Sequence, residues 1–393
     1  MGHVRKVTLA GAVLWALLAA ACGGPETATT GDGEVSATPG GGGEAEGATE
    51  AEGTGEGGGE GEYWTVASHD ELVAAAEAEG SLIGNTSLEE ETIEVVRSTF
   101  VEKYPNIDVT LNEQSGSEAE RILLEVQAGT ADYDMLHLNQ ETYTEHLPYL
   151  EKVDLLAMAE AGTIDVPVEM INPSAPNTMA SSSGIAGFAY NPTKLPEELI
   201  PETWEDFLRP ELAGKQFLVD IEPTNFTALI PAMGEDWARQ YAADLAAQDP
   251  IWARGETNAL TAMAAGEYQL HFASNYHSAV RAMERSPDTV AVGLLEPIPV
   301  KLASVNAIRI DAAHPNAALL MLEHMASPEV QQALDELEPL SSSIYAEGSE
   351  LNKVTEGKEL SVLSWDDFES QADWFQIVAE AWGFPTAEVQ EEG

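Results

Sequence analysis

Apolar and polar positions along residues 63–140 change period repeatedly, and each change predicts an element. His69 to Glu79 is alanine-rich, with Leu72, Val73 and Ala76 on one side, and reads as a helix. Ser81-Leu82-Ile83 is a short apolar strand running into the polar loop Gly84-Asn85-Thr86-Ser87. Ile93, Val96 and Phe100 then set a helical spacing over Leu88 to Lys103, stopped by Tyr104-Pro105-Asn106. Ile107, Val109 and Leu111 alternate as the next strand. After Gln114-Ser115-Gly116-Ser117, a helix through Ile122, Leu123 and Val126 ends at Gly129, and Asp134 to Leu138 is a third strand. The β-α-β-α-β order predicts an α/β fold with a parallel sheet.

A second α/β region begins near Lys215. Gln216 to Ile221 reads as a strand, followed by helices through Phe226 and Ile230, over Asp236 to Ala247 and over Asn258 to Ala265. A strand at Tyr268 to Ala273 delivers Ser274-Asn275-Tyr276-His277 into the helix Ser278 to Arg285. Pro297 to Val300 reads as an extended link and Val305 to Ile310 as a strand returning to the first lobe. Helices over Pro315 to Met325, Pro328 to Leu337 and Trp365 to Trp382 complete the pattern. Two lobes joined by more than one crossing are expected. The expected boundaries are 63–185 for the first part of lobe 1 with the hinge entry and 186–300 for lobe 2. Residues 301–393 form the return to lobe 1 and the C-terminal helices.

The first 62 residues have no such periodicity. Arg5 and Lys6 precede a short apolar run, Val7 to Ala21, too short for the roughly 20 residues that span a bilayer. A charged start, a short apolar core and small residues before a cut mark an export signal over residues 1–22. Leu18-Ala19-Ala20-Ala21-Cys22 resembles the bacterial lipobox, with Ala19 where leucine is usual; Cys22 is then the lipidated mature terminus. The alternative is an ordinary cleaved signal with an incidental cysteine. Residues 23–62 are an acidic Gly/Glu-rich tether without lysine, arginine or aromatic residues, expected to be disordered.

Cys22 is the one cysteine, so the body holds neither disulfides nor thiolate metal sites. The net charge is −51, and about −43 remains on the body once the tether's ten acids and the leader's two cations are set aside. Such a surface disfavours nucleic acid, whose phosphates need clustered lysine and arginine. The acids are spread over every segment, which favours a high-salt type of surface over a cationic ligand.

In open parallel sheets ligands lie at the carboxyl ends of the strands. Here those ends offer Thr86 and Ser87, Ser115 and Ser117, and Asn139; the second region adds Thr224, Asn225, Tyr276 and His277, with Arg254 as a charge partner. Helix capping is the competing reading for each hydroxyl. No Gly-x-Ser-x-Gly, His-Glu-x-x-His or glycine-rich phosphate loop is present. His137, Glu141, Glu145 and His146 are better explained as a strand-end histidine and a solvated helix than as a metal cluster. No internal repeat suggests an adhesive or structural protein.

Several phrases in order resemble bacterial ABC-transporter solute-binding proteins, most closely the ferric iron-binding group. They are Glu71 to Leu82 with Thr86-Ser87, Phe100 to Pro105, Gly187 to Asn191, Thr203 to Phe207, Ala264 to Tyr268, and His314 to Ala318 with Ser327-Pro328-Glu329. The resemblance implies the two-lobed type II periplasmic-binding-protein architecture, a hinge of two or three crossings, closure on a solute, and delivery to a membrane permease with its ATPase. It implies no catalysis and no cofactor beyond ferric iron as cargo. Iron-binding relatives often carry adjacent tyrosines where this chain has Tyr276-His277, and a histidine where it has Leu88. The ligand is therefore expected to be a ferric complex held by Tyr276 and His277, or a small phosphorylated or anionic organic molecule. A monomer, anchored by lipid at the outer face of the cell membrane, follows; a non-transport sensor and a secreted hydrolase are the alternatives.

Overall fold

The computed structural model describes residues 63–114, 116–139, 142–338 and 340–384. Cys22, the tether, Ser115, Gln140 and Glu141 lie outside them, and of Ser117 only the backbone is described, within a helix.

Lobe 1 opens with α1 (His69–Glu79), β1 (Ser81–Thr86), α2 (Glu90–Lys103), β2 (Asp108–Glu113), α3 (Gly116–Gln127) and β3 (Met135–Leu138). Short helices α4 (Tyr143–His146) and α5 (Leu155–Glu160) lead into β4 (Thr178–Tyr190). Lobe 2 holds β5 (Leu218–Asp220), α6 (Thr224–Thr227), α7 (Ile230–Met233), α8 (Glu235–Ala247), β6 (Ile251–Ala253), α9 (Glu256–Ala264), β7 (Leu270–Asn275), α10 (Tyr276–Arg285) and β8 (Ala291–Gly293). Then follow β9 (Ile298–Ile308), α11 (Pro315–Met325), α12 (Pro328–Leu337), α13 (Glu350–Thr355), β10 (Leu360–Leu363) and α14 (Gln371–Ala381). Strands run in the order β2-β1-β3-β9-β4-β7-β5-β6, with β10 beside β9 and β8 beside β4.

The expected parallel β2-β1-β3 sheet is present, but β1 extends to Thr86, so Asn85 and Thr86 are buried strand residues rather than loop. The link at Pro297 to Val300 and the returning strand are one continuous strand, β9. β4 has no counterpart in the sequence reading. Its core, Ser181-Ser182-Ser183-Gly184, carries no hydrophobic alternation, and its strand state is set by pairing with β9 from Thr178↔Ala307 to Ile185↔Val300.

At Ala186 the partner changes: β4 pairs with β7 from Ala186↔Asn275 onward. Both β4 and β9 thus cross from lobe 1 to lobe 2. A third passage lies between Trp365, in a lobe 1 core, and Trp374, in the lobe 2 core. The C-terminal helix α14 therefore belongs to lobe 2, because Trp374, Val378 and Trp382 find their apolar partners there. Trp365 to Ser370 is a 3₁₀ segment with a Ser364–Asp367 capping box, and the α-helix starts only at Gln371.

Each lobe has its own core. Lobe 1 is mainly aliphatic around Phe100, Val96 and Leu319 to Leu322. Lobe 2 is aromatic, with Trp204, Phe207, Phe217, Phe226, Tyr241 and Phe272 in edge and stacked contacts. Each such side chain contributes roughly 2–3 kcal/mol by burial. β4 approaches β8 closely at one point: a Cβ on Gly187 would sit 2.3 Å from the Gly293 carbonyl oxygen, so this position accepts only glycine. Gly187→Ala should lower stability by about 1–3 kcal/mol, read in denaturant unfolding.

His324 is buried between α11 and α2, 3.0 Å from the Thr99 hydroxyl and 3.2 Å from the Val96 carbonyl. Burial lowers its pKa to about 4. The folded state keeps the ring neutral while the unfolded chain protonates near 6.5, so stability falls as pH drops from about 6.5 towards 4. Through this residue the loss reaches up to roughly 3 kcal/mol. In His324→Gln the unfolding midpoint should fall less steeply over that window.

Candidate functional site

Three strand ends meet in lobe 1. Asn85 (β1), Gln114 (after β2) and Asn139 (after β3) form an amide chain: Asn85 Nδ2 donates to Gln114 Oε1, and Gln114 Nε2 donates to Asn139 Oδ1 at 3.3 Å. Asn85 Oδ1 accepts from the His137 amide at 3.0 Å. This network locks the ends in place and presents Ser87, His137 and Asn139 to a cavity of about 260 Å³. Burial pushes the His137 pKa down to about 4, so a neutral imidazole faces that cavity.

The far wall comes from β9. Ser304 has φ +48°, and its pairing with Ser181 is missing from the otherwise continuous β4–β9 ladder. Side chains replace the lost bonds: Ser181 Oγ and Asn306 Nδ2 donate to the Ser304 carbonyl at 3.2 and 2.5 Å. The turned Ser304 hydroxyl lies 3.0 Å from Ser182 Oγ and 3.1 Å from Ser87 Oγ.

A second cavity, about 240 Å³, lies in lobe 2 between the ends of β5 and β7 and the start of α6. Thr224, Asn225 and Asn275 line it, with the carboxylates of Asp220, Glu222 and Glu256. Lys301 lines both cavities. Its Nζ donates to Asn225 Oδ1 at 2.7 Å, and Asn225 Nδ2 donates to the Ala273 carbonyl at 2.8 Å. One ammonium on the crossing strand β9 therefore stands where the two half-sites join.

The expected site residues divide accordingly. Ser87 and Asn139 line the lobe 1 cavity, and Thr224 and Asn225 the lobe 2 cavity. Thr86 is fully buried and its hydroxyl accepts from the Leu88 amide at 3.3 Å, a local turn bond. Tyr276 lines neither cavity; it packs against the apolar cluster of Ile185, Ile298 and Val300, and burial raises its pKa. His277 Nδ1 lies 3.1 Å from Asn275 Oδ1, and burial, then Arg281, lower its pKa. Arg254 is three-quarters exposed, 4.0 Å from Glu222, and lines neither cavity. Among the described residues no three histidine, cysteine, aspartate or glutamate side chains group to hold a metal ion.

Lys301, Ser304 and Asn275 were not among the expected residues. For Lys301 a signal existed: it is a lysine inside the apolar run Ile298 to Val305, in a chain with 17 lysines and arginines. Ser304 had none, since its exposure to the cavity comes from the backbone turn.

The sequence profile of bacterial extracellular solute-binding proteins matches residues 149–371. The chain belongs to that family. Family membership makes it an extracytoplasmic solute-binding protein of the ABC-transporter type. A comparison with curated protein sequences returns no match. Among solved structures, the protein is similar to the Trichodesmium IdiA (FutA) complex with iron and citrate, at 18% identity and TM-score 0.62, over 78% of this chain and 100% of that one. Iron-bound HitA from Pseudomonas aeruginosa shares 17% identity at TM-score 0.55, covering 77% and 99%. A substrate-binding protein of an Agrobacterium tumefaciens ABC transporter shares 17% at 0.56, covering 78% and 96%. At these identities the likeness shows the two-lobed type II fold.

Because Lys301 joins the half-sites, Lys301→Met should weaken binding of an anionic solute at least tenfold in calorimetry. The unfolding midpoint of the ligand-free protein should change little.

Proposed function

We propose that this solute-binding protein captures a small organic solute bearing an anionic group in the interlobe cleft and hands it to a membrane permease. The observation that carries the reading is Lys301, shared by both cavities and oriented by Asn225. Its ammonium, the hydroxyls of Ser87 and Ser304 and the Asn139 amide suit a carboxylate or phosphate on the lobe 1 side. Asp220 and Glu222 in the lobe 2 cavity suit hydroxyl or amine donors on the remainder of the solute. Bending of β4 and β9 closes the lobes on the solute. The protein acts by binding and release, without turnover, as a monomer.

A lipidated Cys22 and the acidic tether would hold the body near the outer face of the membrane while leaving it free to meet the permease. A second reading has ferric iron as cargo, carried together with an organic anion. It is favoured by the likeness to IdiA (FutA), whose structure contains iron and citrate. In that reading Tyr276 and His277 supply a phenolate and an imidazole.

Thermal unfolding of the full chain against ferric citrate, sugar phosphates, phosphonates, thiamine and polyamines separates the two. Binding to the native state stabilises it by about 2.7 kcal/mol at a hundredfold excess over Kd and so raises the midpoint. The expected outcome is a shift with an iron-free anionic solute that Lys301→Met abolishes and Tyr276→Phe retains. A coloured complex with ferric citrate, bleached by Tyr276→Phe, would replace the first reading with the second.

A further inference from the structure

A third cavity, about 320 Å³, lies in lobe 2 between α9 and α10, away from Lys301. Arg281 and Arg285, one helical turn apart, both line it. Thr257, Thr261, Ser278 and Ser286 line it with them, Thr261 donating its hydroxyl to the Thr257 carbonyl at 2.7 Å, and among the described residues no carboxylate lines it, although 68 of the 393 residues are acidic. Four of the other arginines lie against the chain's own carboxylates, Arg97, Arg121, Arg209 and Arg254. Arg285 makes no hydrogen bond or ion pair to a described residue; its charge helps to lower the Glu89 pKa, while Glu89, Glu338 and Glu284 act on Arg281. Arg281 donates to the two Glu89 oxygens at 2.7 and 3.2 Å, across the interlobe cleft. That fork engages two of the five guanidinium N–H donors.

We propose that this groove is a second anion site, which binds a phosphate group through Arg281 and Arg285 with the hydroxyls of Thr257, Ser278 and Ser286 as further donors. Two guanidiniums with hydroxyl donors match the acceptor-only, doubly charged oxygens of phosphate. The volume accommodates a small phosphomonoester as well as free phosphate. Because Arg281 also holds Glu89, the bound phosphate competes with the interlobe ion pair, so the groove is coupled to the lobes' relative position.

The test is calorimetric titration of the full chain with inorganic phosphate and, separately, glycerol 3-phosphate, at one fixed salt concentration. Arg285→Gln should weaken binding at least tenfold, and Glu89→Gln should tighten it several-fold by releasing Arg281. Arg239→Gln, on the exposed face of α8, should leave it unchanged, and Lys301→Met should remove at most a separate main-cleft phase while the Arg285-dependent phase persists; unfolding midpoints verify that all four variants fold. Tighter binding of the ester identifies an organic phosphate as the occupant, and equal binding identifies free phosphate. Unaltered affinity in Arg285→Gln, an equal loss in Arg239→Gln, or loss in Lys301→Met alone would overturn the proposal. The last result would assign phosphate to the main cleft instead.

Discussion

The antiparallel pairing of β4 with β9 is the constraint on which the rest of the protein depends. These two strands belong to both lobes: β9 pairs with β3 at one end and with β10 at the other, and β4 changes partner from β9 to β7 at Ala186. Each lobe folds around its own core, aliphatic in one and aromatic in the other, yet their mutual position is set by a shared ladder. A pair of hydrogen-bonded strands resists shear along its length but bends across it, which suits a hinge. The third passage, from Trp365 to Trp374, attaches the C-terminal helix to lobe 2 and adds a second line of contact.

The two cavities are placed by that same ladder. The interruption at Ser304 turns its hydroxyl towards Ser87, and three residues earlier the strand carries Lys301 to the junction of the cavities. Ser304 holds a conformation that non-glycine residues adopt at a cost of order 1–3 kcal/mol. Hydrogen bonds from Ser181 and Asn306 to its carbonyl offset part of that cost. On the lobe 1 side, the Asn85–Gln114–Asn139 chain ties three strand ends to one another and burial keeps His137 neutral, so among the described residues the lysine is the one full charge lining that cavity. On the lobe 2 side the charges are reversed, with Asp220, Glu222 and Glu256 in the lining. A solute that spans both cavities would be oriented by this polarity.

The extreme acidity acts differently at different depths. Exposed carboxylates pair locally with Arg97, Arg121 and Lys353, contacts that solvent screening leaves weak. A buried and a half-buried carboxylate organise the chain. Asp134 accepts from the Ile83 and His314 amides and from the His314 ring, and Glu79 accepts from the Asn316 and Ala317 amides at the start of α11. Basic side chains are few enough that their positions carry information: one stands at the cleft centre and two in the α9–α10 groove.

Much of the architecture was legible from one-dimensional pattern. α1, α11 and α12 match their expected bounds because caps and apolar spacing act within a few residues. The β-α-β-α-β order predicted the parallel half of lobe 1, and the family phrases predicted the two-lobed fold. Polar strand ends pointed to Ser87, Asn139, Thr224 and Asn225, which line the two cavities, because strand ends in such sheets are where backbone pairing stops. Tertiary structure alone decided the rest. β4 is a strand because β9 lies beside it; Tyr276 turns into an apolar cluster and Arg254 into solvent, although both sit in promising phrases. Lys301 and Ser304 face the cleft because a long-range ladder runs between the lobes and breaks at one pair. Local sequence encodes propensity and period, whereas the direction of a side chain on a crossing strand depends on partners over a hundred residues away.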